Sequence, residues 1–360
     1  MIPDDSWDGR SVVVGPYDGS AAEWDGFVTS LGGANAYTHC HLYGWRDVMQ
    51  RAMRHEAPYL AARDTVSGAL RGVLPLVRVR SRLLGHFLVS MPFLNYGGPL
   101  GDADAVRALC TSAATMAARD RARLLELRSR NEIVCGEGFS VSHRKITVLL
   151  DTSGGSDALW KRLPSKVRSQ VRRPMKDGIE VAIGAAQVQP FYTVFSRHMR
   201  VLGTPVMPRR FFELAAAQFR DSALFAVAYH KGEPVACGGG FLWGDGADRE
   251  FEIVWASSLR EYNRMAPNML VYWELMKHVA DAGIGTFNFG RCTPGGNTHR
   301  FKQQWVTRDQ PLWWYDHSPG GAAPLAPDAT SAQAGAALWR RLPLPIANAL
   351  GPRIARLIPL

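Results

Sequence analysis

The chain has 360 residues, 46% hydrophobic and 21% charged, a globular composition that excludes disorder and is long enough for two cores. Its formal charge of +10 favours polyanionic partners such as nucleic acid, phosphorylated substrates or an anionic membrane, although an Arg-rich base composition would give the same balance. The five scattered cysteines include no CxxC pair and fit a reducing cytoplasm. No apolar run is long enough to span a bilayer, and the acidic start Met1-Ile2-Pro3-Asp4-Asp5 does not read as a signal peptide.

Near the start, His39-Cys40-His41 sets two imidazoles on one face of an extended segment, which a metal could use. No carboxylate or second Cys/His pair lies nearby in sequence, so these residues are expected to be structural, with no metal bound. Within Ala57–Val79 the chain reads strand (PYLAAR), turn (Asp64-Thr65-Val66-Ser67-Gly68), strand (GVLPLVRV). An apolar strand (HFLVSMPF), a Gly-rich loop (Asn95-Tyr96-Gly97-Gly98), an Ala-rich helix over Ala103–Arg119 and a strand (LLELRS) follow.

The same order returns in the second half. ALFAVAY, the turn His230-Lys231-Gly232-Glu233 and PVACGGGFLW make a second hairpin within Ser222–Trp243. After it come a strand (EFEIVWA), a loop, a helix over Pro267–Asp281 and a strand (TFNFG). A hairpin–β–α–β unit present twice predicts two similar lobes, not a solenoid. The Gly/Ser-rich stretch Asp151–Ser156 predicts the boundary, with a first lobe over 1–152 and a second, carrying the chemistry, over 153–317. Residues 318–336 are small, Pro-rich and nearly uncharged, as in a flexible linker. Residues 337–360 form a basic amphipathic tail that Pro343, Pro345 and Pro352 should cut into short pieces. Such a tail packs on its own protein or lies on an anionic membrane.

Three segments could carry chemistry. In Lys161–Gly178, Val167 and Val171 mark a narrow apolar edge, while Lys166, Arg168, Arg172, Arg173 and Lys176 cover much of the rest. Cations so crowded either form a solvated face or contact phosphate, which the planar guanidinium suits. In Ser257–Lys277 a helix opens at Pro267 after a strand. Coenzyme-A N-acetyltransferases carry a Q/R-x-x-G-x-G/A turn at this place. Here it reads Arg264-Met265-Ala266-Pro267-Asn268, without the glycines that let backbone approach a pyrophosphate; Arg260 or Arg264 could still hold a phosphate. In Thr286–Trp305 a strand ends at Gly290, followed by Arg291, a loop with Gly295 and Gly296, then His299, Phe301, Lys302 and Trp305. A Gly-rich loop at a strand end is where α/β sheets bind ligands. Lys302, between Phe301 and Trp305, is either an oxyanion-stabilising cation or a surface lysine of a hairpin. Glu250 and Glu252 share one face of a strand and are candidate bases, although strand carboxylates are usually exposed. No Gly-x-Ser-x-Gly elbow is present.

At these residues the chain resembles the FemAB family, in particular the subgroup associated with exosortase and exopolysaccharide systems that carries a BioF2-like acetyltransferase domain. LPSKVRSQVRRPMKDGIEV, NRMAPNMLVYWELMKHV, FNFGRCTPGGNTHRFKQQW, VSMPFLNYGGPLGD and the tail LWRRLPLPIANALGPRIARLIP carry the likeness over nearly the whole chain. The resemblance implies an α/β (α+β) fold of two tandem GNAT-like lobes, each a mixed β-sheet flanked by helices. It also implies attack of an amine on an activated acyl group. In the peptidoglycan-bridge members the donor is an aminoacyl-tRNA, the acceptor is an amine on a cell-wall precursor, and the lysine of a Phe-Lys pair, here Lys302, is implicated in stabilising the tetrahedral intermediate. That pair falls at Phe301-Lys302, and Arg264, Asn268 and Tyr272 fall on the helix bordering the cleft. Arg168, Arg172, Arg173, Arg291, Gly295, Gly296 and His299 complete the expected substrate-binding set. The chain departs from the family in lacking the long helical-hairpin arm of the staphylococcal-type enzymes and in having Val306 where a glycine is usual.

The expected activity is amide formation by transfer of an aminoacyl group from aminoacyl-tRNA to an amine of a cell-envelope or polysaccharide precursor. No cofactor is expected to be tightly bound. The protein is expected in the cytoplasm, its tail either packed on the protein itself or in peripheral contact with the inner face of the membrane. Two alternatives stand: an N-acyltransferase using acyl-CoA or an acyl carrier, and a non-catalytic module binding nucleic acid or membrane through its basic helix and tail. The first lobe has no counterpart of Phe301-Lys302 and is expected to be a scaffold or an acceptor-side wall.

Overall fold

Apolar runs interrupted by turn residues pair as hairpins here, as their pattern dictates. Leu60–Asp64 pairs antiparallel with Leu70–Leu74, and Ala223–His230 with Glu233–Trp243. The second turn has Lys231 at φ 51° and Gly232 at φ 81°, the double positive φ of a two-residue type I′ connection. The structure, a computed structural model, describes residues 12–81, 84–320 and 329–358.

The second lobe is built on a seven-stranded sheet. Its order is Ile179–Ile183, Ala223–His230, Glu233–Trp243, Glu250–Ser258, Thr286–Cys292, Ile146–Asp151, Arg308–Pro311. Among the described strands its single parallel pair is Glu250–Ser258 with Thr286–Cys292, joined by the helix Pro267–Asp281. The first lobe repeats the plan. Its parallel pair is Gly85–Ser90 with Leu124–Ser129, joined by the helix Ala103–Arg119. There Pro75 separates Leu70–Leu74 from Leu76–Ser81. Proline has no N–H for a ladder, and the sheet splits at this point into a four-stranded and a five-stranded part.

The lobes exchange strands across the boundary expected at 152/153. Ile146–Asp151, before it, sits between Thr286–Cys292 and Arg308–Pro311 in the second lobe. Trp313–His317 returns to lie between Leu124–Ser129 and Ser140–Ser142 in the first. Local composition carries no information on this pairing, which depends on which sheet edge each strand reaches. Of the expected linker 318–336, residues 321–328 lie outside the described residues, while Ala329–Arg341 is helical. Of the tail's three prolines only Pro343 coincides with a break, between the helices Ala329–Arg341 and Leu344–Ala355. Leu344–Ala355 is one 12-residue helix, with Pro343 and Pro345 at its start, where a missing N–H costs nothing, and Pro352 inside it. None of the described helices is long and apolar enough to cross a membrane.

The helix Pro267–Asp281 buries Met269, Leu270, Val271, Tyr272, Trp273, Leu275, Met276, Val279 and Ala280. A helix apolar nearly all round needs cover on both sides. The sheet supplies one side, and the helices Gly155–Arg162 and Ser165–Lys176 supply the other. Val167, Val171 and Pro174 are the buried residues of the second cover helix.

Between the lobes runs a buried polar seam. Arg130 of the first lobe donates to Glu250 of the second at 2.8 Å, and both side chains are almost fully buried. Asn288 Nδ2 donates to Glu250 Oε1 at 2.6 Å and to the Tyr96 hydroxyl at 2.9 Å. Tyr96 donates to Thr147 Oγ1 at 2.9 Å, which in turn donates to Asn288 Oδ1 at 2.6 Å. Removing one partner of such a pair leaves the other charge stranded. Glu250→Ala should lower the unfolding free energy by about 3–5 kcal/mol in urea melts, with the m-value unchanged; an unshifted midpoint would mean that the seam adds no stability.

Candidate functional site

The parallel strands Glu250–Ser258 and Thr286–Cys292 pair only at Glu250–Thr286, Phe251–Phe287 and Glu252–Asn288. Beyond that they part. Gly290 has φ 71°, and a Cβ there would meet the Ile253 carbonyl oxygen at 2.9 Å, so only glycine fits the turn. The register with Ile146–Asp151 also breaks between Asn288 and Arg291. A bulge of this kind bends its strand and re-aims the side chains after it. Close approach is equally required at Gly240 on the neighbouring strand, where a Cβ would lie 1.8 Å from the Glu252 carbonyl oxygen.

The wedge between the parted strands is a cavity of about 330 Å³. Ile253–Ala256 line one wall and Phe289–Arg291 the other, with Tyr272 and Lys302 between them. Phe93 and Asn95 come from the first lobe; Phe195, Met199 and Met207 complete an apolar side.

Lys302 lies on the short helix Asn297–Gln303, not in a hairpin, and is buried. Its Nζ donates to the carbonyls of Gly290 at 2.6 Å and Arg291 at 3.0 Å. The bulge sets these two acceptors where they anchor the ammonium. Burial pushes the amine down to about 8, against the opposing pull of Cys292 and Glu252. It is therefore charged at neutral pH, and one of its three donors remains after the two carbonyls. Phe301 packs on Tyr272 with centroids 5.1 Å apart, and Tyr272 stacks on Phe289 at 5.5 Å. Burial raises the Tyr272 phenol, so it stays protonated.

Arg291 lines the cavity with its guanidinium 5.1 Å from the Trp314 ring centre, sharing that indole with Arg128 and Arg144, each at 4.8 Å. Burial and then Arg128 lower it to about 9, which still leaves it charged at neutral pH.

Glu252 is fully buried behind this wall. It accepts from Asn95 Nδ2 at 2.5 Å and pairs with His39 Nε2 at 2.8 Å. The two strand glutamates thus face the other lobe, not solvent. Burial works against the charge on His39, but Cys40 and Glu252 outweigh it and raise the imidazole to about 10. His41 goes the other way, pushed by burial to about 4, and its Nε2 bonds the Gly98 carbonyl at 3.1 Å. His39-Cys40-His41 is a 3-10 turn, not an extended segment, and its two imidazoles serve different partners. Donor atoms of His39, Cys40 and Glu252 lie within 4.8 Å of one another, but the imidazole and carboxylate there are already paired directly.

The structure brings Lys302, Tyr272 and Arg291 together at the cavity, with Phe301 behind them. The other expected residues lie elsewhere. The Gly295 N–H donates to His299 Nδ1 at 3.0 Å, His299 Nε2 bonds Asp309 at 2.8 Å, and the Gly296 N–H donates to the Thr293 carbonyl at 3.1 Å. That loop uses its own donors internally. Arg168 bonds the carbonyls of Lys161 and Leu163, tying two helices. Arg172 lies 5.2 Å from the Trp160 ring centre, and Arg172 and Arg173 are exposed on the cover helix. Arg264 and Asn268 flank the start of the helix Pro267–Asp281, outside the cavity lining. No sequence spacing linked Phe93, Asn95, Met207 or Trp255 to the site. The one available signal was a pair of glutamates two apart in an otherwise apolar strand.

Residues 165–303 match the acetyltransferase (GNAT) domain family. Over 168 residues the chain is 25% identical to the UDP-N-acetylmuramoylpentapeptide-lysine N(6)-alanyltransferase of Weissella viridescens. That alignment covers 45% of this chain and 48% of the relative, so it spans about half of that protein's length. The fold is similar to the crystal structure of FemX, with TM-score 0.63 at 15% identity over 84% of this chain and 97% of that one. It is also similar to a tandem GNAT protein from the clavulanic acid biosynthesis pathway, with TM-score 0.54 at 13% identity over 87% of this chain and 100% of that one.

The His39 proton links the site to stability. Its folded value lies above the ordinary 6.5, so its contribution is complete below pH 6.5 and is lost as pH rises towards 10. Lys302, lowered to about 8, acts in the opposite sense above that pH. Unfolding free energy from urea melts should therefore fall between pH 6.5 and 8, by at most about 1.4 kcal/mol per pH unit. His39→Gln should flatten that slope, and an equal slope in both proteins would clear His39 of the effect.

Proposed function

We propose that this FemAB-like chain is an acyltransferase that forms an amide in the wedge between the parted strands, with Lys302 stabilising the oxyanion. The observation that carries this reading is the desolvated Lys302 ammonium, held by two carbonyls at the edge of the cavity. The lone pair of an acceptor amine attacks the acyl carbon, and the C–N bond forms as charge moves to the carbonyl oxygen. Lys302 meets that charge with a preorganised donor in a water-poor site. Collapse expels the donor's ester oxygen, which takes up the proton released by the amine.

The donor in this reading is an aminoacyl-tRNA, and the acceptor is an amine of a cell-envelope precursor. The Weissella relative is by name an alanyltransferase acting on the lysine of a UDP-linked muramoyl pentapeptide, and we extend its reaction class to this chain. The exposed Arg172 and Arg173, with Arg264 near the helix start, are the cations that would meet the RNA backbone. The first lobe acts as scaffold and acceptor-side wall through Phe93 and Asn95. The tail's exposed Leu338, Ile346 and Leu350, beside Arg340, Arg341 and Arg353, would hold the protein at an anionic membrane face.

An acyl-CoA donor is the second reading. In its favour, the helix Pro267–Asp281 has no side-chain cap, and Ala266 before it takes the left-handed φ of 54° that a glycine would supply. Against it, Pro267 and the side chains of Ala266 and Asn268 crowd the place of a pyrophosphate.

Lys302→Met should lower kcat by about tenfold to a thousandfold, the range for a lost oxyanion donor; unchanged turnover would remove Lys302 from the mechanism. Because the ammonium must stay charged, turnover should decline as pH rises through about 8. Lys302→Arg should shift that alkaline limb upward. Titrations should also find salt-sensitive binding of charged tRNA that Arg172→Ala and Arg173→Ala abolish. Saturable acetyl-CoA binding without tRNA preference would favour the second reading instead.

A further inference from the structure

Phe93, one wall of the cavity, stacks on His55 with ring centres 6.0 Å apart and planes within 8°. His55 in turn lines a second cavity of about 230 Å³, formed where the C-terminal segment meets the first lobe. Four guanidiniums line it: Arg54, Arg78 and Arg80 from the first lobe, and Arg356 at the end of the helix Leu344–Ala355. Glu56 pairs with Arg78 at 3.0 Å and Arg80 at 2.7 Å, and Arg78 also pairs with Asp120 at 2.5 Å. Among the described residues, no carboxylate pairs with Arg54 or Arg356. Four cations against these two carboxylates leave a local charge of +2.

Two further observations point to a ligand. His55 is only 8% exposed, and its Nε2 has no hydrogen-bond partner among the described residues, an arrangement that costs free energy unless something fills it. Burial, with Arg356 next in effect, pushes this imidazole down to about 4, so it is neutral and able to offer one N–H. Arg54 holds φ at 57°, a conformation rare outside glycine and concentrated at ligand sites.

We propose that this second cavity is a binding site for a phosphate group, held by Arg54 and Arg356 with the His55 Nε2–H as a further donor. A phosphate monoester carries about −2 charge near neutral pH, which balances the surplus better than a single carboxylate does. The guanidinium fork fits its oxygens. The cavity is larger than the phosphate itself, so the rest of the ligand has room beside it. Binding here joins the C-terminal segment to the first lobe, because Arg54 and Arg356 come one from each. The site does not depend on the transferase reading.

The shared chemistry has two sources, a soluble phosphorylated compound and an anionic lipid headgroup. The test titrates the full chain with inorganic phosphate against chloride at matched ionic strength. In parallel, it measures co-flotation with phosphatidylcholine vesicles with and without phosphatidic acid. Saturable binding in at least one arm, weakened about tenfold or more by Arg54→Gln and by Arg356→Gln, is the expected result. Phosphate binding without vesicle binding would assign a soluble ligand; vesicle binding that requires phosphatidic acid would assign a headgroup. His55→Phe keeps the stack on Phe93, removes the N–H and should also weaken binding, which guards against a folding defect in either arginine variant. Absence of binding in both arms, or binding indifferent to all three substitutions, would overturn the proposal.

Discussion

A glycine in the left-handed conformation at position 290 is the constraint from which the cavity follows. Its backbone turns the strand away from Ile253 where any Cβ would collide with that residue's carbonyl. Three consequences share this cause. The parallel ladder stops after Glu252–Asn288, so the wedge opens. The carbonyls of Gly290 and Arg291 become acceptors for Lys302. The bulge also directs Arg291 to the cavity, beside Trp314 of the exchanged strand.

An opened wedge needs support behind it, and the inter-lobe seam provides it. Asn288 spends its amide on Glu250, Tyr96, Thr147 and the Gly290 N–H. Such a network stabilises to the extent that its members are satisfied; in this seam Arg130 Nε is left without a partner among the described residues. Glu252 with His39 and Asn95 supports the wedge in the same way one layer nearer the cavity. The exchange of Ile146–Asp151 and Trp313–His317 interlocks the lobes through their backbone ladders, since neither sheet is complete without chain from the other side of the boundary. The first lobe is thus part of the cavity, through Phe93 and Asn95.

The basic surface divides according to what backs each cation. Arg168 is absorbed into helix capping and Arg128 into a buried pair with Glu126. Arg172, Arg173 and Arg264 remain exposed, where interactions with a polyanion are long-ranged and screened by salt. Arg54 and Arg356 meet at a cavity, where a guanidinium is less hydrated and binds more selectively. A net charge of +10 therefore holds surfaces of different chemical character.

Much of the fold was legible from local pattern. Ala103–Arg119, Leu124–Ser129 and Pro267–Asp281 have the bounds that their apolar spacing, caps and turns imply, and the repeated hairpin–β–α–β order marks two lobes. The resemblance carried by FNFGR and HRFKQQW put Lys302 forward, and its side chain lines the cavity. These features are local: periodicity, turn chemistry and short motifs act over a few residues. What only the tertiary structure decided is non-local. The strand exchange, the burial of Glu250 and Glu252 against the other lobe, the use of the Gly295 and Gly296 donors within their own turn, and the meeting of Arg54 with Arg356 each join residues through space. Lys302 itself reads in sequence as a lysine between two aromatics. Its depressed pKa comes from burial and its anchors are carbonyls exposed by a bulge, and both arise only when the sheets close around it.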